Sequence, residues 1–403
     1  YNFVESPELG LTRKECTRIG THMTRIVYTY ENEFRARALY EEPSRFDPYK
    51  PNIREGVTPI TCKPPRYSPK ESKAVEQLVQ QVIDVGHWRI GFDATFCSPL
   101  MVTPKPGADP PYRATVNMKN VNTIFHPLCW PFPEIKVQFQ RIANKKSRYF
   151  GVTDVQGGYF QLRIAKEYQK FFAIMTDKEV LIPERLIQGS TDAAKYFQSQ
   201  LAHVLKELIP DSIIQWIDDF INHSSTLNEL MDVWEKFLKI CKEWNVKLSI
   251  KKTTLAQSEI DVTGHTLDKD GYTFNPKNYE AVANMSRPRN GRELQQFVSC
   301  TNWMRESIPH YASLISPLNH LLQQIYEKKG NRTKYGMQKF DLDDCGWAGI
   351  HVIAFQNIKD AICDRIKMYI PHEDDTICMF TDASVYGWGG CLTVINGGSG
   401  AGG

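Results

Sequence analysis

The sequence predicts an α+β fold with more than one subdomain, and three observations lead to this prediction. The chain has 403 residues, more than a single hydrophobic core usually serves. Segments with helical periodicity alternate along the chain with short apolar strands and turns. No apolar run approaches the roughly 18 residues that would span a bilayer. We therefore expect several packed subdomains and no membrane partner.

Three segments carry apolar residues at helical spacing. The first covers residues 68–85, and either Ser68 or Ser72 could cap its start. The other two cover residues 190–208 and 228–244. These segments predict amphipathic helices that pack one face against a core.

Strand patterns lie between these helices. Residues 100–103 and 112–117 predict two strands joined by a turn at 104–107, which is rich in Pro and Gly. Residues 149–154 form an apolar run that predicts a buried strand. Residues 212–223 predict a strand–turn–strand hairpin.

The two ends of the chain have a different composition. Residues 1–70 are rich in Arg, Glu, Pro and Tyr and predict an extended lead-in that wraps a surface rather than forming a core. Residues 396–403 form a Gly/Ser tail that resembles an artificial linker. We therefore base no fold prediction on the tail.

Charge and cysteine usage restrict the function classes. The net charge of +3 does not by itself indicate a polyanionic partner, so binding of nucleic acid would need a local groove. The ten cysteines are scattered singly, without the spacing of a zinc site. This pattern favours reduced thiols and an intracellular protein.

The most informative residues are Asp218 and Asp219, which lie between apolar residues at the tip of the predicted hairpin. Unpaired carboxylates in an apolar setting are costly unless they hold a cation. Asp154 ends the predicted strand at 149–154 and precedes the pair Gly157-Gly158, where the backbone can approach a ligand closely. Alone, Asp154 would more simply cap a turn. Together, the three carboxylates can hold two Mg²⁺ ions roughly 3.5–4 Å apart.

Several motifs occur in an order that resembles one family. They are SPLMVTPKPGADPPYRATVNMKNVN, FGVTDVQGGYFQL, IQGSTDAAKYFQ, WIDDF, LSIKKTTLAQSEIDVTGH and RELQQFVSCTNWMRESIPHY. This series resembles the reverse transcriptase of gypsy-class LTR retrotransposons and, more distantly, retroviral enzymes. The resemblance implies a right-hand polymerase with fingers, palm and thumb, which adds dNTPs to a primer 3′-hydroxyl.

The resemblance also implies roles at the metal site. It makes Asp154 and Asp218 the principal metal ligands, Asp219 a supporting one, and the carbonyl of Val155 an additional ligand. Two Mg²⁺ ions are the implied cofactors, with Mn²⁺ as a substitute. Trp216 stands where the family usually has Tyr, beside the primer.

The same resemblance assigns residues to the incoming nucleotide. Lys105 and Arg113 would contact its triphosphate, and Tyr159 would exclude a ribose 2′-hydroxyl. Gln188 would hydrogen-bond the sugar. A lysine near the triphosphate is Lys252, with the adjacent Lys251 as an equally close alternative.

Primer and template contacts fall on separate motifs. The resemblance implies that Gly189 lets the template backbone approach, and that Gly264 and His265 form a primer grip. The helix after Gly291 would face the duplex minor groove. Its implied contact residues are Arg292, Gln295 and Trp303.

The C-terminal part resembles the connection to ribonuclease H and the first strand of that domain, with Asp382 as a first metal carboxylate. One carboxylate cannot build such a site, so we expect no RNA cleavage by this segment. The resemblance divides the chain into six regions. They are the lead-in at 1–70, fingers and palm at 71–265, the thumb at 266–325, a connection-like region at 326–375, a truncated ribonuclease H segment at 376–395, and the tail at 396–403.

The sequence thus predicts an RNA-directed DNA polymerase. Its partners would be an RNA template, a DNA primer, the RNA–DNA hybrid and dNTPs, and a homodimer remains an open alternative to a monomer. We expect it in the cytoplasm, in a virus-like particle, with the nucleus as the alternative. The competing hypothesis is a domesticated, catalytically inactive remnant that binds nucleic acid.

Overall fold

The chain forms two compact units, residues 1–257 and 258–403. The computed structural model describes residues 12–36, 42–92, 94–329, 334–364, 367–371, 375–385 and 387–395. The tail at 396–403, for which the sequence predicts a linker, lies outside the described residues. None of the described helices is long and apolar enough to cross a membrane.

The first unit mixes helices with two main sheets. Its helices are α1 (Arg13–Thr29), α2 (Pro69–Asp84), α3 (Ile135–Asn144), α4 (Ala193–Val204) and α5 (Leu227–Glu243). Its strands are β1 (Phe34–Arg35), β2 (Trp88–Ile90), β3 (Cys97–Pro104), β4 (Tyr112–Val116), β5 (Tyr149–Asp154), β6 (Ala173–Met175), β7 (Val180–Pro183), β8 (Ile213–Trp216), β9 (Asp219–Ser224), β10 (Leu248–Ser249) and β11 (Thr254–Gln257).

The two main sheets have different strand orders. One has five strands in the order β2-β7-β6-β3-β4, and the other has four in the order β11-β5-β9-β8. In the second sheet β9 pairs antiparallel with both β5 and β8. The aromatic rings of Phe220 on β9 and Phe237 on α5 lie 5.0 Å apart, and both side chains are fully buried. Helix α5 therefore covers one face of this sheet.

Helix α2 begins where a capping box predicts it. The Ser68 hydroxyl accepts the backbone N–H of Glu71 at 3.4 Å, and the Glu71 carboxylate accepts the N–H of Ser68 at 2.8 Å. This reciprocal pair satisfies two donors that a helix start leaves unpaired. Of the two serines that could cap the helix, Ser68 is therefore the cap.

The expectation of an extended lead-in at 1–70 is wrong for helix α1. Thr12 and Glu15 form its capping box. Cys16, Ile19 and Met23 lie on its buried face, as does Ile26. These apolar residues have helical spacing. The many Arg and Glu residues around them mask this pattern in the sequence. The N-terminal segment is thus part of the core of the first unit.

The second unit combines a small sheet with helices and a hairpin. Its strands are β12 (Glu259–Val262), β13 (His265–Asp268), β14 (Gly271–Phe274), β15 (Thr376–Ser384) and β16 (Gly387–Ile395). Its helices are α6 (Pro276–Ala283), α7 (Gly291–Trp303), α8 (Tyr311–Lys329), α9 (Lys334–Met337) and α10 (Gly349–Cys363). Strands β12, β13 and β14 form an antiparallel sheet, and β15 pairs with β16. The subdivision into fingers, palm, thumb and connection remains a prediction.

Candidate functional site

The predicted carboxylates converge at one end of the four-stranded sheet. Asp154 is the last residue of β5 and lies directly opposite Asp219, the first residue of β9. Asp218 belongs to the tight turn between β8 and β9, and its backbone carbonyl accepts the N–H of Val155 at 2.9 Å. The turn and the end of β5 are therefore joined by the backbone as well as by strand pairing.

The turn itself has an unfavourable backbone conformation. Ile217 has a φ of 55°, in the left-handed region that a β-branched residue rarely adopts. The side-chain amide of Gln215 donates to the Ile217 carbonyl at 3.1 Å. Strain of this kind persists only where its surroundings enforce it. In this protein the strained turn places Asp218 and Asp219 at the tip of the hairpin.

The carboxylates repel each other, and this repulsion affects their proton affinities. Burial raises the pKa of Asp219 to about 6, and the nearby charges of Asp218 and Asp154 add to this effect. Burial likewise raises the pKa of Asp154, which is 5% exposed, although Lys252 opposes the rise. The site therefore carries more negative charge than its surroundings neutralise.

Lys252 is the cation that the structure places nearest to this charge. Its Nζ donates to Asp154 Oδ2 at 2.8 Å. Burial alone would lower the pKa of Lys252, but the hydrogen bond and the charge of Asp154 raise it overall. Lys251 is exposed. Of the two neighbouring lysines that the sequence left open, Lys252 is thus the one that contacts the carboxylates.

The donor chemistry of the cluster fits a hard divalent cation. Carboxylate and carbonyl oxygens are the ligands that Mg²⁺ prefers, and three repelling carboxylates leave a charge deficit for one to fill. Among the residues that the structure describes, however, no group of three or more His, Cys, Asp or Glu side chains is arranged closely enough to hold a metal ion. Asp154 is held by Lys252 instead, so a metal would compete with this lysine.

Tyr159 and two glycines form the wall beside the cluster. The ring of Tyr159 packs edge-on against Phe197, with 6.0 Å between centroids. Burial raises the pKa of Tyr159, and the charge of Asp218 adds to this rise. A Cβ on Gly158 would lie 2.9 Å from the Phe197 ring. Gly157 adopts a left-handed conformation with φ 58°.

The residues predicted to bind nucleotide lie partly together. Arg113 on β4 donates a hydrogen bond to the side-chain oxygen of Gln188, and both side chains are exposed. Gly189 has a φ of 108°, and a Cβ there would lie 2.7 Å from the carbonyl oxygen of Val116. Lys105 is exposed in the loop after β3. The structure thus brings Arg113, Gln188 and Gly189 into one cluster.

The residues predicted to grip the primer lie in the second unit. Thr263 and Gly264 join β12 to β13, both with positive φ, as a type I′ turn requires. Trp303, at the end of α7, lies against this turn, because a Cβ on Gly264 would be 2.7 Å from its ring. The ring of Trp303 also packs against His265 at 5.6 Å and Phe274 at 4.7 Å.

The remaining predicted residues make few contacts. Arg292 on α7 is exposed and donates to the Gln338 side chain at 3.2 Å. Gln295 and Trp216 are half-exposed. Asp382 lies exposed on β15 opposite Gly389. Within the described residues, no metal-binding cluster includes it.

Solved structures share this architecture. The foamy viral protease-reverse transcriptase in complex with dsDNA has a TM-score of 0.78 at 19% identity, over 97% of this chain and 76% of that chain. The same enzyme in complex with RNA/DNA hybrid has a TM-score of 0.77 at 18% identity, over 95% of this chain and 50% of that chain. At such identities the likeness establishes the fold alone. The chain has the α+β fold of the right-hand polymerases.

Sequence comparisons find similarity to reverse transcriptases and to retrotransposon polyproteins. Residues 103–267 match the family described as reverse transcriptase (RNA-dependent DNA polymerase). The "Retrovirus-related Pol polyprotein from transposon opus" of Drosophila melanogaster is 24% identical over 83% of this chain. The "Transposon Tf2-3 polyprotein" of Schizosaccharomyces pombe is 25% identical over 81%.

Residues 103–267 thus match a reverse transcriptase domain, and the chain is similar to retrotransposon Pol polyproteins, which confirms the resemblance to gypsy-class elements. It spans 33% of the opus polyprotein and 23% of the Tf2-3 polyprotein. The matched residues 103–267 include Asp154, Asp218, Asp219 and Lys252.

Sequence reasoning missed a buried polar network behind the site. It consists of Glu33, Gln161 and Lys247 and is described below. Its members lie far apart in the chain, so no local pattern indicated them.

Proposed function

We propose that this protein is an RNA-directed DNA polymerase that adds dNTPs to a primer 3′-hydroxyl on RNA or DNA templates. The observation that carries the proposal is the pairing of Asp154 with Asp219 across two strands, with Asp218 in the adjoining turn. Side-by-side carboxylates on a strand end and a hairpin suit metal-dependent phosphoryl transfer. The polymerase fold and the reverse transcriptase match support the same reaction.

Asp154, Asp218 and Asp219, with the carbonyl of Val155, would hold two Mg²⁺ ions. When bound, such ions lower the pKa of an attacking hydroxyl and neutralise charge on a triphosphate. With Asp154 engaged in this way, Lys252 would be available to pair with a triphosphate oxygen. The strained turn at Ile217 keeps two carboxylates at the hairpin tip, so that little reorganisation is needed when substrate arrives.

The nucleotide would lie between Tyr159 and the Arg113–Gln188 pair. Arg113 can donate two parallel hydrogen bonds to phosphate oxygens, and Lys105 would add a second charge from the loop after β3. The flat ring of Tyr159, supported by Phe197, would exclude a ribose 2′-hydroxyl and select dNTPs. Gln188 would hydrogen-bond the sugar, and Gly189 would let the template backbone pass.

Residues of the second unit would contact the duplex. Trp216, in the first unit, would contact the primer end. Gly264 and His265 would contact the primer backbone, and Trp303 with Gln295 would meet the minor groove. Arg292 would contact a phosphate. Such contacts depend on the shape of the duplex and not on its sequence. Both RNA–DNA and DNA–DNA duplexes would therefore be suitable partners. Because Asp382 has no acidic cluster among the described residues, we expect no RNA cleavage by them.

The test is primer extension on a poly(rA) template with an oligo(dT) primer, dTTP and Mg²⁺. We expect extension by the wild type and loss of at least about 10³-fold for Asp218→Asn, since a ligand charge is removed from the reacting centre. Asp211→Asn is the matched control, because Asp211 is an exposed carboxylate just before the same hairpin. An Asp218→Asn protein as active as the wild type would overturn the proposal. A wild type that binds the hybrid without extending it would indicate the inactive remnant instead.

A further inference from the structure

A buried glutamine organises the backbone behind Asp154. Gln161 is 1% exposed, and its amide nitrogen donates to the carbonyls of Gln156 and Lys247, each at 2.8 Å. Its side-chain oxygen accepts the N–H of Lys247 at 2.8 Å. Gln161 thus uses both ends of its side chain to join its own segment to Lys247, 86 positions further along the chain.

A buried ion pair attaches the N-terminal segment to the same place. Lys247 Nζ donates to Glu33 Oε2 at 2.7 Å, and the two side chains are 6% and 5% exposed. The same ammonium donates to the carbonyl of Asn32 at 3.1 Å. Strand β1, which follows Glu33, pairs with β10, which follows Lys247. The ion pair therefore fixes the register of two short strands.

The network continues directly to the carboxylate site. The N–H of Gln156 donates to the Lys247 carbonyl at 2.9 Å. Leu248 pairs with Phe34 on one side and with Val155 on the other. Val155 in turn donates to the carbonyl of Asp218. Hydrogen bonds and strand pairing thus connect Glu33, through Lys247 and Leu248, to Val155 and Gln156, the two residues that follow Asp154.

Stability alone is a weak explanation for such a network. The desolvation of a buried ion pair commonly offsets its attraction, so apolar residues of similar size would often serve as well. A fully satisfied polar network, by contrast, specifies one arrangement of the backbone. At a reacting centre that matters, because a misplacement of about 1 Å can cost a hundredfold in rate.

We propose that Gln161 and the Glu33–Lys247 ion pair are positioning residues for the carboxylate site, since they fix the backbone at Asp154–Gln156 against the N-terminal segment. The inference rests on the proposed function. Outer partners that orient metal ligands typically change metal affinity by about 10- to 100-fold when they are removed. Positioning should therefore be visible in metal binding by the free protein, without any turnover.

The experiment titrates the free, full-length protein with Mn²⁺ and follows bound ion by electron paramagnetic resonance. Asp154→Asn defines the signal that belongs to the site. The test variants are Gln161→Leu and Glu33→Gln, and Glu33→Asp is the conservative variant. Thermal unfolding and hybrid binding by fluorescence anisotropy are measured on every protein.

Two matched controls separate positioning from general stability. Gln169→Leu removes another buried glutamine. Its amide donates to the carbonyl of Ile164 at 3.2 Å, and this hydrogen bond does not belong to the network. Arg25→Gln removes another ion pair that ties the N-terminal helix to α5, formed by Arg25 and Glu235 at 2.8 Å. Both should alter folding stability while leaving Mn²⁺ affinity within about twofold of the wild type.

We expect Gln161→Leu to weaken Mn²⁺ binding about tenfold and Glu33→Gln several-fold, with partial recovery in Glu33→Asp. Hybrid affinity should change less than about twofold. The inference would be overturned if both test variants bound Mn²⁺ as tightly as the wild type. It would also be overturned if the control variants lost as much Mn²⁺ affinity as the test variants. A wild type that fails in primer extension would count against the proposed function alone, because Mn²⁺ affinity is measured without it.

Discussion

Lys252 Nζ lies 2.8 Å from Asp154 Oδ2, and the charges of Asp218 and Asp219 also act on this ammonium. Under the proposed function the contact has two opposite consequences. In the free protein, the lysine would compete with a divalent cation. In the nucleotide complex, the same ammonium would pair with a phosphate.

Replacing Lys252 with Met should therefore separate metal binding from nucleotide binding. Because Lys252 is 66% exposed, we expect a modest gain of about two- to fivefold in Mn²⁺ affinity of the free protein. The KM for dTTP should rise at the same time, since a phosphate contact is lost. Lys251→Met is the matched control, and neither quantity should change in it. Weaker Mn²⁺ binding in Lys252→Met would show that the lysine does not compete with the ion.

The repulsion among the carboxylates predicts a stabilising substitution. Burial disfavours the ionised form of Asp219 and raises its pKa, and the charges of Asp218 beside it and Asp154 opposite it add to this effect. At pH 7.5 without metal, Asp219→Asn should raise the free energy of unfolding by about 1–2 kcal/mol. Millimolar Mg²⁺ should raise the melting temperature of the wild type and have a smaller effect on the variant. A variant that melts below the wild type in metal-free buffer would contradict this prediction.

A buried histidine on strand β9 of the same sheet predicts a pH dependence of stability. Burial lowers the pKa of His223 to about 4, and the charge of Lys145 adds to this effect. Between pH 6.5 and 4 the unfolded chain binds the proton and the folded one does not, so stability falls as the pH falls. The free energy of unfolding should drop by about 2 kcal/mol more between pH 7.5 and 5 in the wild type than in His223→Gln. Urea denaturation at the two pH values measures the free energy of unfolding. An equal loss of this free energy in the wild type and in His223→Gln would refute the prediction.

The conformation and the surroundings of Gly264 both predict that its replacement lowers the stability of the second unit. Its φ is 83°, and a Cβ would approach Trp303 at 2.7 Å. Gly264→Ala should therefore destabilise the second unit by about 2–3 kcal/mol. Gly346→Ala is the matched control, because Gly346 has a φ of 94° with nothing within 4 Å, so that only the backbone cost of about 1–2 kcal/mol applies. Equal losses in the two variants would show that Trp303 moves aside freely.

Helix α1 predicts that the N-terminal segment contributes to the core. Ile26 is fully buried, so Ile26→Ala should cost about 2–5 kcal/mol. Tyr28→Ala on the exposed side of the same helix, where Tyr28 is 71% exposed, should change stability by less than about 0.5 kcal/mol. Urea denaturation followed by circular dichroism compares them. A small effect of Ile26→Ala would restore the extended lead-in as a description of this segment.

Local patterns account for what the sequence could predict. The helical spacing of residues 68–85 predicts α2, with Ser68 and Ser72 as the two candidate caps, and the Asp218-Asp219 pair between apolar residues predicts the tip of the hairpin. Asp154 alone would predict a turn cap, and it became a candidate only in combination with this pair. Each of these signals is contained in one short stretch of sequence.

The parts that sequence reasoning missed depend on distant partners or on three-dimensional arrangement. Lys251 and Lys252 are neighbours in a single 3₁₀ turn, Ile250–Lys252, so spacing alone could not decide which of them contacts Asp154. Ile217 was not expected in a left-handed conformation, since its residue type disfavours it. Gln161 and Lys247 have ordinary sequence surroundings, and their pairing is visible only once the chain is folded.

The attachment of Glu33 to Lys247 also bears on the order in which this chain can fold. The two residues are separated by 214 positions, and β1 has its strand partner only in β10 among the described residues. During synthesis from the N-terminus, residues 31–35 must wait until most of the first unit has left the ribosome. Residues 34–35 can therefore pair with β10 only after residues 248–249 have been synthesised, and contacts of such long range are formed slowly. The carboxylate site would be completed late, when the earliest and the latest parts of the unit meet.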